Sequence, residues 1–177
     1  IFLGLPIARL ADRGSRKWVI TIGVLFWSLM TCLCGITRSF STLFVARAGV
    51  GIGEAALSPP AYSLLSDYFS EGNLPKAMAV YTLGITIGGG LAYIIGGGVY
   101  EYFTEYGALS LPFVGELRPW QSTFFIVGLP GFLLVLMLSL IAEPPRRGDL
   151  PEEAGDYSVS EVKTHLRLHW QAYGSLI

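Results

Sequence analysis

Three long stretches without a charged residue constrain this chain more than any other feature. They cover residues 18–37, 77–100 and 119–142 and are 20, 24 and 24 residues long. A helix needs about 20 apolar residues to cross a hydrocarbon core about 30 Å thick. Buried helices of a soluble protein are normally shorter and carry a polar face. The stretches therefore favour membrane-spanning helices.

The composition supports this interpretation. Charged residues make up 14% of the chain and hydrophobic residues 52%, whereas a soluble domain has about 25% charged residues. The 12 basic and 13 acidic side chains nearly balance, so we expect no nucleic-acid partner. The sequence predicts an all-α, multi-pass integral membrane protein.

A fourth apolar stretch, 42–66, contains two charged residues, and residues 1–8 resemble the end of a further span. The short links between spans indicate the orientation, because basic residues concentrate in cytoplasmic loops. One side of the membrane would carry seven basic residues in these links and the other side two. The seven are Arg9, Arg13, Arg16, Lys17, Lys76, Arg146 and Arg147, and we expect them to be cytoplasmic.

We expect three regions along the chain. Residues 1–142 form the membrane helices, and 143–160 form an acidic, proline-containing cytoplasmic linker. Residues 161–177 regain helical patterning and are either an amphipathic cytoplasmic segment or the approach to another span. His165 and His169 share a helical spacing there, but no second half-site accompanies them. A solvated face is favoured, and we expect no metal and no cofactor.

Arg47 and Glu54 are charged residues at membrane depth. They are seven residues apart, so both leave one helix face, about 10 Å apart along the axis. An ionised side chain at the bilayer centre costs about 2.5–3.5 kcal/mol on insertion scales, and such groups normally face a cavity or the bundle interior. Arginine stays protonated while burial shifts the pKa of a carboxyl group. Glu54 is therefore a candidate proton carrier and Arg47 its fixed partner. The alternative is a static ion pair that only holds helices together.

Small residues and prolines predict bends and close packing in two of the spans. In the span with Arg47 they precede a proline pair, which interrupts helical hydrogen bonds. In the next span they recur every four residues, a spacing that lets two helix backbones approach closely. The candidate hinge and packing residues are Gly49, Gly51, Gly53 and Pro59 in the first span, and Gly84, Gly88 and Gly96 in the second.

The link at residues 8–17 reads ARLADRGSRK. It resembles the signature loop between the second and third helices of major facilitator superfamily transporters, with the pattern G-x-L-A-D-R-x-G-R-K. Ala8 and Ser15 stand where that pattern has glycine. Residues 43–55, LFVARAGVGIGEA, resemble the fourth-helix arginine motif of the same superfamily. Their continuation through residues 58–69 resembles the Spinster subfamily. The glycines of the predicted fifth helix only loosely resemble the superfamily's antiporter motif, because the glycine-proline pair of that motif is absent.

The resemblance implies a twelve-helix bundle in which this chain runs from late helix two to helix six. It implies that these helices have the missing C-terminal half of the same transporter as their partner. It also implies a cytoplasmic gate that involves Asp12, Arg13 and Arg16. Asp67 either joins this charge network or is a solvated acid at the end of its helix. A bacterial-type inner (plasma) membrane is the expected location.

The sequence and the resemblance together predict a proton-coupled secondary active transporter that works by alternating access, and not an enzyme. The expected partners are protons, membrane lipids and a small-molecule or lipid substrate, with lysolipids as the class that the Spinster resemblance implies. Two alternatives stay open. One is a membrane-embedded lipid-modifying enzyme, and the other is a non-transporting sensor or scaffold on a transporter fold.

Overall fold

The computed structural model describes residues 4–107, 109–112 and 114–146, together with Thr164, Arg167 and Leu168. Within these residues the chain forms seven helices and one two-stranded antiparallel sheet. The elements are α1 (Gly4–Arg13), α2 (Arg16–Ile36), α3 (Phe40–Ala55), α4 (Ser58–Tyr68), α5 (Leu74–Glu105), β1 (Ser110–Leu111), β2 (Gly115–Glu116), α6 (Pro119–Gly128) and α7 (Pro130–Leu140).

The chain divides into two compact units, Ile1–Pro145 and Arg146–Ile177. Glu143, the first residue of the predicted linker, is bonded to the start of α2, and the region boundaries inferred from the sequence stay predictions. In the second unit Thr164, Arg167 and Leu168 are helical. The rest of the predicted 161–177 segment and residues 147–160 of the predicted linker lie outside the described residues.

Four helical stretches of the described chain are long and apolar enough to cross a membrane. They are Arg16–Ile36, Phe40–Tyr68, Leu74–Glu105 and Pro119–Leu140. The prediction of an all-α membrane bundle is confirmed. Helix α5 extends beyond the predicted charge-free stretch 77–100 to Glu105, and the β1–β2 hairpin lies between α5 and α6.

Local sequence explains where the helices begin. Ser15 and Ser39 cap α2 and α3, since each side chain accepts a hydrogen bond from a backbone N–H in the first helical turn. Prolines occupy the first turns of α4, α5, α6 and α7, where the missing N–H costs no helical bond. The missing backbone N–H of proline also interrupts the helical hydrogen bonds where α3 is separated from α4, at Ala56–Leu57, and where α6 is separated from α7, at Leu129.

Helix α2 is the centre of the first unit and packs against α3, α6 and α7. One apolar cluster contains Ile20, Val24 and Ala61, and a second contains Cys34, Ala46 and Val50. Helix α5 contacts α6 and α4 but buries none of its residues. Among the described residues the core thus lies around α2, and no atom of these residues lies within 4 Å of a Cβ added at a glycine of α5.

Candidate functional site

A buried arginine at the start of α2 organises one charged cluster. The side chain of Arg16 is 3% exposed and forms an ion pair with Asp67, near the end of α4, whose side chain is 8% exposed. The same guanidinium donates a hydrogen bond of 3.0 Å to the Ser63 hydroxyl oxygen. Arg16 and Asp67, two residues predicted for the cytoplasmic gate, are therefore in direct contact. Their gating role stays a prediction.

Glu143 is a member of this cluster that sequence reasoning missed. The Arg16 backbone N–H donates to Glu143 Oε1 over 2.8 Å, and Arg16 Nε lies 3.4 Å from the same oxygen. The Ser15 hydroxyl donates to the other carboxylate oxygen. Glu143 was assigned to a solvated linker because acidic residues and prolines follow it. The signal that identifies it is its position three residues after α7, which packs against α2.

The hydrogen bonds around Glu143 favour its ionised form. Burial by itself raises the pKa of this carboxyl group, but the bonds from Ser15 and from the backbone and side chain of Arg16 outweigh burial and lower the pKa below its ordinary value. Glu143 therefore stays charged at neutral pH. Together with Asp67 it places two carboxylates around one guanidinium.

This cluster links three distant parts of the chain. Arg16 begins α2, Asp67 lies on α4, and Glu143 follows α7. Tyr68 adds a hydrogen bond from its hydroxyl group to the Ala142 carbonyl. Removing one partner of a buried ion pair typically costs about 3–5 kcal/mol, because the other charge is left without compensation. The ends of α2, α4 and α7 are therefore held as one group.

Two other predicted gate residues lie beside this cluster in the sequence. Asp12 and Arg13 form the last turn of α1, and only Gly14 and Ser15 separate that helix from α2. Their side chains lie outside the described residues. Arg16 and Asp67 are thus the two predicted gate residues that the structure brings into contact.

Arg47 and Glu54 lie on α3, and both are exposed in the described chain. The guanidinium carbon of Arg47 lies 4.3 Å from the centre of the Phe124 ring on α6, a cation–π contact. Among the described residues no carboxylate lies within ion-pair distance of Arg47. Phe124 is a second residue that sequence reasoning missed as part of the site.

The glycines of α3 differ in their surroundings. A Cβ added at Gly53 would lie 2.8 Å from the Gly23 carbonyl oxygen and 2.7 Å from the Trp27 Cβ, and one at Gly49 would lie 2.6 Å from the Met30 sulfur. Gly51 has no described atom within 4 Å. Gly49 and Gly53 therefore face α2, whereas Gly51 does not.

The glycines that recur at four-residue spacing on α5 have no other described element packed against them. Gly84, Gly88 and Gly96 have no described atom within 4 Å of an added Cβ. Pro59 is exposed in the first turn of α4, directly after the break in the helix. The packing role of the α5 glycines and the hinge role of Pro59 stay predictions.

An open cavity of about 430 Å³ lies at the start of α3 and α6. Its lining includes Arg38, Arg118, Leu43 and Trp120. Leu43 is one helical turn before Arg47, and Trp120 contacts the Phe124 ring edge-to-face at 6.2 Å. The cavity therefore opens beside the Arg47–Phe124 contact.

The sequence analysis predicts no metal site. In the described part of the chain no group of three His, Cys, Asp or Glu side chains is placed to hold a metal ion. His165 and His169 lie outside the described residues.

Comparisons with known proteins bear on what this arrangement does. The family model of the Major Facilitator Superfamily matches residues 1–177. Protein spinster of Drosophila melanogaster is 31% identical over 137 residues, which are 77% of this chain and 20% of that protein. Human protein spinster homolog 1 is 30% identical over 78% of this chain and 24% of its own length. An MFS-type efflux pump of Mycolicibacterium smegmatis is 28% identical over 78% of this chain and 29% of its own.

Solved structures agree with these sequence matches. A bacterial homolog of the human lysosomal transporter Spinster, in an inward-facing and occupied conformation, matches with a TM-score of 0.72 and 38% identity. The match covers 84% of this chain and 35% of that one. The inward-facing and unoccupied conformation matches with a TM-score of 0.72 and 34% identity, over 96% and 38%. The resemblance inferred from the sequence motifs is confirmed, although the chain spans only about a quarter of the length of the curated relatives.

Proposed function

Because the chain belongs to the Major Facilitator Superfamily, we propose that it is part of a proton-coupled secondary active transporter that works by alternating access. The observation that carries this proposal is the pair of exposed charges, Arg47 and Glu54, on a helix of an apolar membrane span. The chain is an integral membrane protein, and ionisable groups at membrane depth mark substrate, ion or proton pathways by default.

Glu54 is the proton carrier in this proposal. A carboxyl group gains a proton when it is desolvated and loses it when water or a cation returns. Arg47 keeps its charge throughout, so any change in its distance from Glu54 changes the proton affinity of the carboxyl group. A conformational change that alters access to α3 therefore loads Glu54 on one side and unloads it on the other.

The cytoplasmic cluster supports a gate. Arg16, Asp67 and Glu143 hold the ends of α2, α4 and α7 together. Rocking of one helix group against another requires such groups to move as rigid bodies. We propose that Asp12 and Arg13, in the adjacent turn of α1, make the contacts that close this gate against the other half of the transporter.

The proposed substrate is a lysolipid or another amphipathic lipid, and the proposed location is a bacterial-type inner membrane. Two of the relatives are named as Spinster proteins, one structural match is described as a homolog of a lysosomal transporter, and another relative is named as an efflux pump. These names support export of a small molecule. The lipid class follows from the Spinster resemblance alone, so a hydrophilic substrate is the outcome that would replace it.

Replacement of Glu54 tests the coupling. The full-length protein is placed in proteoliposomes, and the flux of a lysophospholipid and of hydrophilic solutes is measured with and without an imposed pH gradient. Glu54→Gln keeps the size of the side chain but cannot carry an ionisable proton. We expect gradient-driven flux in the wild type and its loss in Glu54→Gln, while the variant stays folded by thermal melting.

The matched control is Glu101→Gln, the same change at an exposed position near the end of α5. It should keep gradient-driven flux. Unchanged gradient dependence in Glu54→Gln would exclude the coupling role. A lipid-modifying enzyme would instead turn over its substrate without closed vesicles, and a scaffold would show no flux in any variant.

A further inference from the structure

We propose that Phe124 is a positioning residue for Arg47. The ring of Phe124, on α6, lies under the guanidinium of Arg47, on α3, with 4.3 Å between the guanidinium carbon and the ring centre. The two residues are 77 positions apart, so the contact is made by the packing of the two helices. This inference rests on the proposed function, since it concerns how Arg47 is presented to its charged partner.

Phe124 is itself firmly held. It packs against the buried cluster of Cys34, Ala46 and Val50, and the Trp120 ring meets it edge-to-face. At the start of α6, Gln121 donates a 2.6 Å hydrogen bond to the Thr37 carbonyl at the end of α2. An aromatic ring fixed in this way restricts the orientation of the guanidinium above it.

The helices also approach closely at this point. A Cβ added at Gly35 of α2 would lie 2.5 Å from the Gln121 carbonyl oxygen and 2.9 Å from the Phe125 nitrogen. No side chain fits between α2 and α6 there, so the backbone of α6 beside Phe124 rests directly on α2. The position of the ring is therefore set by backbone packing and not only by its own rotamer.

The chemistry of the contact differs from that of an ion pair. A carboxylate would neutralise the guanidinium and occupy its N–H donors, as Asp67 and Glu143 do for Arg16. A phenyl ring attracts the cation through its face and accepts none of the in-plane N–H bonds. Phe124 thus fixes the plane of Arg47 and leaves its charge and donors available to an anionic group, whether Glu54 or an acidic group of the substrate.

The expected size of the effect follows from the strength of cation–π contacts, which corresponds to about 2- to 30-fold in an equilibrium constant. Arg47 is exposed, so the lower part of this range applies. Loss of the ring should raise the KM for an anionic substrate by about 2- to 5-fold and leave kcat nearly unchanged, because the cost is paid when the guanidinium is ordered on binding.

The contact is tested first without transport. Thermal unfolding of the full-length protein is measured for Phe124→Leu, Arg47→Gln and the double variant. Coupled residues give a loss of Tm in the double variant that is smaller than the sum of the single losses. Phe44→Leu with Arg47→Gln is the control pair, since Phe44 is exposed on the same helix and stacks on Phe40. Strict additivity for Phe124 and Arg47 would overturn the proposal.

The positioning role is tested by flux of lysophosphatidylglycerol into proteoliposomes under a pH gradient. Phe124→Leu should raise KM, whereas Phe124→Tyr, which keeps the aromatic face, and Phe44→Leu should stay within about twofold of the wild type. Equal damage from Phe124→Tyr and Phe124→Leu would show that the ring is not the cause. If the wild type moves none of the probe, the proposed lipid substrate fails, and the thermal cycle still decides whether Phe124 holds Arg47.

Discussion

At the scale of single residues, the chain uses arginine in two opposite ways. Arg16 is buried and its donors are taken by Asp67, Ser63 and Glu143. Arg47 is exposed at membrane depth and rests on an aromatic ring. The first arrangement removes a charge from further chemistry and uses it to join helices. The second leaves the charge of Arg47 without a carboxylate partner among the described residues, as the proposed pairing with Glu54 requires.

The stability that Glu143 contributes should be lost at low pH and kept at neutral and higher pH. Its pKa is lowered in the folded protein, so its contribution is present above the ordinary glutamate pKa of about 4.3 and is lost as the pH falls through the lower, folded value. We expect the difference in Tm between wild type and Glu143→Gln to be constant from about pH 5 to 8 and to shrink below about pH 4.

Thermal melting in detergent across this range measures that difference. Glu71→Gln, at an exposed position in the turn between α4 and α5, is the matched control and should leave the Tm nearly unchanged, as surface substitutions usually do. A difference that begins to shrink above pH 6 would contradict the lowered pKa of Glu143.

At the scale of elements, the contact between α2 and α3 depends on paired glycines. Gly23 on α2 and Gly53 on α3 face each other so closely that neither position has room for a methyl group. A Cβ added at Gly51, two residues away on the same helix, would have no described atom within 4 Å. Small residues allow such backbone approach in membrane helices, where van der Waals packing replaces the hydrophobic effect as the driving force.

Gly53→Ala should therefore destabilise the protein by about 1–3 kcal/mol, the usual cost of overpacking a close contact. Gly51→Ala should be neutral or stabilising by less than about 1 kcal/mol, since alanine favours the helix and meets no described atom. Unfolding of the two full-length variants side by side measures the contrast. Equal losses at the two positions would mean that helix propensity, and not packing against α2, decides the effect.

At the scale of the whole molecule, the charged cluster and the open cavity lie at opposite ends of α2. Arg16 begins this 21-residue helix, and Thr37, which lines the cavity, follows its last residue. A helix of that length rises about 30 Å, which is the thickness of the hydrocarbon core. The predicted orientation puts the Arg16 cluster at the cytoplasmic side and the β1–β2 hairpin outside.

Labelling of single cysteines tests this orientation. Glu116→Cys in the hairpin and Glu71→Cys in the turn between α4 and α5 make the same change at two exposed positions. Cys32 and Cys34 are first replaced by serine and alanine. In intact cells a membrane-impermeant maleimide should label the Glu116 position, and it should label the Glu71 position only after the membrane is opened. The reverse pattern would invert the proposed topology.

The sequence by itself determined the class of the molecule and the outline of its elements. Apolar length is a local property, so the four spans were predictable to within a few residues, apart from the extension of α5 to Glu105. The proline pair at residues 59–60 lies directly beyond the break that the structure has between α3 and α4, because the effect of proline on a helix is also local. The motifs around Arg47 and Arg16 were sufficient to indicate the superfamily that the comparisons confirm.

Only the tertiary structure decided which residues act together. Glu143 joins Arg16 across 127 positions, Phe124 lies under Arg47 across 77, and Gly53 meets Gly23 across 30. The spacing of residues along one helix gives the face on which a side chain leaves, but not the helix that this face meets. That choice depends on how the backbones of α2, α3, α6 and α7 fit together, because in a membrane bundle close packing rather than hydrophobicity selects the partner.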